Sequence, residues 1–201
     1  MDKQTEEILQ KIEEAEYVLV GLGQEFDMEF FLQSREDYRR IREQLQQQNV
    51  LWLLPYVEEH FRRQYLPEME AEIEKGLQKL AEVLEKKSYF VVSSSLNHKF
   101  AEVAWKKMLL KKERFVAPCG DWTKKQCPDG CEEGIQTVTE ADEEQLQESF
   151  KKLQTNGFSV PDLGKCPKCG KKLVLNNVYA GRYDEKGYLK TWTEYQNWLQ
   201  N

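Results

Sequence analysis

The chain has 201 residues, 40% hydrophobic and 32% charged, with a formal net charge of −6. That length supports one core and a small module, and the acidic balance argues against nucleic acid or an anionic membrane surface as the main partner. The start, MDKQTEEILQ, lacks an apolar signal core, and no apolar run is long enough to span a membrane.

Residues 5–15 read as a helix, with Ile8, Leu9 and Ile12 on one face and acids in the first turn. Tyr17 to Val20 form an apolar run without alternation, the pattern of a strand covered on both faces. The run ends at Gly21-Leu22-Gly23. A buried strand entering a Gly-x-Gly turn is how a dinucleotide-binding unit begins, because the turn lets the backbone approach a pyrophosphate. The third glycine of that fingerprint is replaced by Phe26, and a plain strand-end turn explains the same residues equally well.

Residues 37–49 predict a helix with Tyr38, Ile41 and Leu45 inward. The apolar stretch NVLWLLPYVEEHFRRQYL reads as a buried helix or loop, in which His60 is a packing or surface residue. Pro67 opens a helix whose stripe is Met69, Ile73, Leu77, Leu80 and Leu84. Ser88-Tyr-Phe-Val-Val-Ser-Ser-Ser is a second strand. The helix after it points Phe100, Val103, Ala104, Met108 and Leu109 inward. A third strand, RFVAPCGDW, ends at Cys119-Gly120. Strands alternating with helices predict a parallel sheet with crossover helices, an α/β fold. Ligands of such sheets lie beyond the carboxyl ends of the strands, where Gly21–Glu25, Ser93–His98 and Cys119–Trp122 converge.

Four cysteines punctuate the rest. Cys127 and Cys131 stand in QCPDGC, Cys166 and Cys169 in KCPKCG. A Cys-x3-Cys pair and a Cys-x2-Cys pair predict a four-thiolate zinc site, structural because four thiolates leave no place for water; disulfides or unconnected buried thiols are the alternative. Five cysteines with no targeting segment predict a reducing, cytoplasmic setting in which thiols bind metal rather than pair. Between the pairs, Thr139 to Asp142 form a capping box. Leu146, Phe150 and Leu153 form the stripe of the helix that follows, and Gly157 ends it. KKLVLNNVYAG is a strand returning from the zinc module. The tail has Leu189, Trp192, Tyr195, Trp198 and Leu199 at helical spacing, a stripe that reads as core packing. The domains are then 1–120, a Rossmann-like part with a helical insertion; 121–175, the zinc module; and 176–201, a return strand and C-terminal helix.

In order, YVLVGLGQEF, YFVVSSSLNHKF, RFVAPCGDW and the two cysteine pairs resemble a divergent sirtuin, the family of NAD-dependent protein deacylases and ADP-ribosyltransferases. The likeness is closest to the bacterial branch near macrodomain-linked sirtuins, which carries a step like Gly120-Asp121-Trp122. It implies a Rossmann domain and a small zinc domain with NAD between them, NAD held by Gly21, Leu22, Gly23, Gln24, Glu25, Ser95 and Asn97. Catalysis falls to Asn97 and Cys119, and the partner is an acylated or ADP-ribose-accepting protein. The departures are specific. The family's Gly-Ala-Gly-x-Ser reads Gly21-Leu22-Gly23-Gln24-Glu25 here. Its Asn-x-Asp pair reads Ser95 and Asn97. Its catalytic His is Cys119, and a thiol is a poor base for a ribose hydroxyl. The later strands of the family sheet do not occur before Asn201, so a longer chain or a partner is expected to complete it. Two functions follow: altered NAD chemistry, or a catalytically inactive zinc-binding scaffold acting through protein interaction. A zinc-ribbon interaction protein with an accidental Gly-x-Gly is a third. Oligomeric state is open.

Overall fold

The computed structural model describes residues 3–106, 111–131 and 134–200. Helix α1 (Lys3–Glu14) leads into a parallel sheet of β1 (Tyr17–Leu22), β2 (Ser88–Ser93) and β3 (Phe115–Val116), in the order β1-β2-β3. The register pairs Tyr17 with Ser88 and Leu22 with Ser93, so the two loop tips end side by side. Between β1 and β2 lie α2 (Glu29–Gln33), α3 (Glu36–Gln47), α4 (Leu54–Tyr65) and α5 (Pro67–Leu84); α6 (Lys99–Lys106) connects β2 towards β3. A second, antiparallel sheet follows. Its central strand, β4 (Gly120–Gln126), is flanked by β5 (Gln136–Thr137) and β6 (Val174–Asn177). Helix α7 (Glu140–Gln154) lies within the cysteine insert, and α8 (Lys186–Leu199) closes the described chain. The architecture is mixed α/β, as expected.

Local chemistry explains most boundaries. Pro55 sits in the first turn of α4 and Pro67 in that of α5, where no intrahelical N–H donor is lost. The capping box at Thr139 forms in full, with Asp142 answering the Thr139 N–H and the Thr139 hydroxyl accepting from the Asp142 N–H. Tyr38, Ile41 and Leu45 are at most 1% exposed, so α3 buries the stripe its spacing predicts, each side chain contributing about 1.5–3 kcal/mol.

The core divides differently from the strand order. The insertion helices α2 to α4 pack with the cysteine module: Leu32, Tyr38, Phe61, Leu146, Phe150, Cys127 and Cys166 share one buried cluster. The parallel sheet packs on α5 through Leu22, Leu77, Leu84, Tyr89 and Val91. Asn177, fully buried, ties β6 to the helical insertion by donating to the Trp52 carbonyl at 3.0 Å.

Several expectations are corrected. β1 is not covered on both faces: Tyr17 and Leu19 are each about half exposed, because α5 covers only the Val18, Val20 and Leu22 side. Among the described residues β1 pairs on one edge only. Ile8 is exposed rather than inward. The third strand stops at Val116, well before Cys119, and Gly120 opens β4 of the other sheet. Helix α8 buries no residue fully; Trp198 touches Tyr17 and Phe90 while Leu189 and Leu199 face solvent. His60 is a packing residue, its ring tilted 31° against that of Tyr56 with centroids 4.1 Å apart. Val103 is buried as expected; Met108 and Leu109 lie outside the described residues, as do the side chains of Leu9, Phe100 and Ala104.

Candidate metal centre

The four cysteines predicted as ligands converge. The Sγ atoms of Cys127, Cys131, Cys166 and Cys169 all lie within 4.8 Å of one another, with Cys127 and Cys169 3.5 Å apart. Four sulfurs around zinc at about 2.3 Å would stand about 3.8 Å apart, so the donor set matches a tetrahedral, thiolate-loving ion. Each pair sits on a tight turn. The Gly130 N–H bonds the Cys127 carbonyl, and the Gly170 N–H bonds that of Cys166, with Gly170 in the left-handed region at φ 73°. The Asp129 N–H points at Cys127 Sγ at 3.4 Å. Burial opposes ionisation of Cys127, but the backbone amides of Cys131 and Asp129 and the neighbouring thiols outweigh it and bring its thiol down to about 6. Lys171 of the second turn clasps Asp129 of the first at 2.8 Å. These four residues are positioned to bind a metal ion.

The strand tips around the first turn are arranged otherwise than the family likeness implies. Gly21 lies in β1 with open space around it. Gly23 precedes a short 3₁₀ turn, Gln24–Asp27, and its N–H donates to Glu25 Oε1 at 3.1 Å. The backbone donor that would meet a phosphate thus meets a carboxylate of the chain itself. Asp27, which motif reading passed over, is the hub. Its Oδ1 accepts from the Ser95 hydroxyl at 2.6 Å and from the Asn97 N–H at 3.0 Å. The Asn97 side-chain amide donates to the Phe26 carbonyl. Burial raises the Asp27 carboxyl above its usual range despite these donors and nearby Arg62. Leu22, Phe26, Ser93, Ser95 and Asn97 line a cavity of only about 10 Å³.

Behind Asp27 lies a buried polar group. Arg62, 1% exposed, donates to Glu70 Oε1 at 3.0 Å and to the Asp27 carbonyl at 3.1 Å. Glu58 accepts from the Tyr38 hydroxyl at 2.5 Å, and burial pushes its carboxyl up to about 7. Asp27, Glu58 and Arg62 were not singled out in the sequence. The compact motif GLGQEFD and the charges inside the apolar LWLLPYVEEHFRR run were the available signals.

Cys119 is half-buried, and burial together with the negative charge of Asp27 pushes its thiol up, away from a reactive thiolate. His98, from the loop after β2, is paired with an acid. His98 Nδ1 meets Asp121 Oδ2 at 2.8 Å, and Asp121 Oδ1 accepts from both the N–H and the hydroxyl of Thr123. Burial opposes both charges, but the pair favours them: His98 is raised, and Asp121 is held down at about 2. This pair lies in the wall of a cavity of about 380 Å³ between β3, β4 and α8. Gly120 belongs to the same wall. It has φ 69°, and a Cβ there would come within 2.2 Å of the Asn176 carbonyl, so no other residue fits without moving β6.

No protein-family model matches the chain, and no curated protein matches it. No helix among the described residues is long and apolar enough to cross a membrane.

Proposed function

We propose that the chain is a sirtuin-like α/β module stapled by one structural zinc ion, which acts through binding rather than through NAD turnover. The observation that carries the zinc reading is the mutual approach of the four cysteine sulfurs within 4.8 Å, on two tight turns, the first of which aims the Asp129 N–H at Cys127 Sγ. With four thiolates the coordination sphere is closed, so the ion would hold the two turns together and activate no water. Cys127 and Cys166 also belong to the large buried cluster with α3, α4 and α7, so the metal would support the helical insertion as well as the turns.

The second reading is altered NAD chemistry. It is favoured by the order of the strands and by the register that brings the tip after Leu22 beside the tip after Ser93. Against it stand Glu25 on the Gly23 N–H and Asp27 on Ser95 and Asn97. Two carboxylates at this place repel a pyrophosphate, and the two side chains expected to meet the ribose and the carboxamide are already satisfied.

Elemental analysis and native mass spectrometry of protein purified without added metal test the zinc reading. One zinc per chain, displaced by a thiol-modifying reagent as four thiols besides that of Cys119 are modified, is the expected result. A chain carrying no metal, or disulfides among these cysteines, would overturn it.

A further inference from the structure

We propose that Lys171 and Arg182 are positioning residues of the metal centre, holding in place two backbone amides that face its sulfurs. The inference rests on the zinc reading above and gives that site an outer layer. The first argument is which residues carry those amides. The Asp129 N–H points at Cys127 Sγ at 3.4 Å, and the Lys171 N–H bonds the sulfur of Cys169. The same two residues are tied to each other by their side chains, with Lys171 Nζ 2.8 Å from each carboxylate oxygen of Asp129. One ion pair therefore links an amide donor of the first cysteine turn to an amide donor of the second. An N–H aimed at a thiolate stabilises its charge, and does so only while the turn keeps its shape.

Arg182 is the second argument. It stands on the loop between β6 and α8, and its Nη1 donates to the Asp129 carbonyl at 2.7 Å. Gly130 has φ 69°, and a Cβ there would lie 3.1 Å from Arg182 Nε, 3.2 Å from Cζ and 3.4 Å from Nη2. The guanidinium thus lies flat against this glycine. The Arg182 carbonyl in turn accepts from the side chain of Gln126, which directly precedes Cys127. Residue 182 grips the first turn on both sides of its first ligand. Gln126 is fully buried and also accepts from the Asp184 N–H at 2.9 Å, which fixes the loop that carries Arg182.

Exposure separates this role from a merely stabilising one. Lys171 and Asp129 are 58% and 44% exposed, and Arg182 is exposed as well. An exposed ion pair changes an equilibrium by less than about fivefold. A partner that orients a metal ligand changes metal affinity by about ten- to a hundredfold.

Competition of the zinc-loaded full chain with a chromogenic chelator, read as zinc transferred at equilibrium, tests this. Lys171→Met and Arg182→Met should each still take one zinc, held about ten- to a hundredfold more weakly than by the parent chain. Lys171→Arg, which can still pair with Asp129, should keep the parent affinity. Asp129→Asn should weaken binding as Lys171→Met does, and the double variant should be no weaker than either single one. Lys171→Met and Arg182→Met within about fivefold of the parent, or Lys171→Arg as weak as Lys171→Met, would overturn the proposal and leave the zinc reading intact. So would tighter zinc in Asp129→Asn, which is the effect of charge alone. A parent chain that holds no zinc would overturn both.

Discussion

Cys166→Ser should release the metal and unfold the cysteine module, lowering the melting temperature of the whole chain. Structural zinc supplies about 10–16 kcal/mol of apparent binding free energy in small domains, all of it folding free energy where the site does not exist in the unfolded chain. Here the loss cannot stay local. Cys166 is 2% exposed and packs in the cluster that also contains Phe61, Leu146, Phe150 and Leu175. Loosening the Cys166 turn therefore exposes the inner faces of α4 and α7 together. A circular-dichroism melt should show a weakened or absent transition, and a chelator should bring the parent protein to the same state. Cys119→Ser is the control, since Cys119 is outside the thiol cluster and should leave both zinc content and melting unchanged. Undiminished melting of Cys166→Ser would show that the metal does not hold this module.

The second large effect is at Arg62. Arg62→Met should cost about 3–5 kcal/mol, because it strands the Glu70 carboxylate in the interior and releases the Asp27 carbonyl. The pair itself is imperfect: Arg62 Nη2 and Glu70 Oε2 find no hydrogen-bond partner among the described residues. Its desolvation is only partly offset, so replacing both members with apolar groups should recover most of the loss. Denaturant unfolding of Arg62→Met, Glu70→Leu and the double variant closes the cycle. A double variant as unstable as Arg62→Met would show that the Arg62 contact with Asp27, rather than the ion pair, sets the cost.

What the sequence made legible was governed by local rules. The Tyr38-Ile41-Leu45 stripe, the Thr139 capping box and the two cysteine turns depend on residues a few positions apart, and all three are found. The return strand after Cys169 forms as β6 for the same reason. The failures are those of long-range partnership. An apolar run such as Tyr17 to Val20 shows that a strand wants burial, not which of its faces will receive it. RFVAPCGDW reads as one strand because its residues favour extension, but Gly120 with its positive φ turns the chain into a second sheet. The roles of Ser95 and Asn97 are set by Asp27, some seventy residues earlier in the chain, and no spacing rule links them. The same holds for His98 and Asp121, which the β2–α6 loop and β4 bring together across different elements.

The most direct test of the account is calorimetric titration of the zinc-loaded chain with NAD and, separately, with ADP-ribose. The account predicts no saturable heat for either ligand up to millimolar concentration, because Glu25 occupies the Gly23 N–H and Asp27 holds Ser95 and Asn97. Saturable binding of ADP-ribose would contradict it, showing that the Gly21–Glu25 turn opens to a pyrophosphate and that the chain handles NAD.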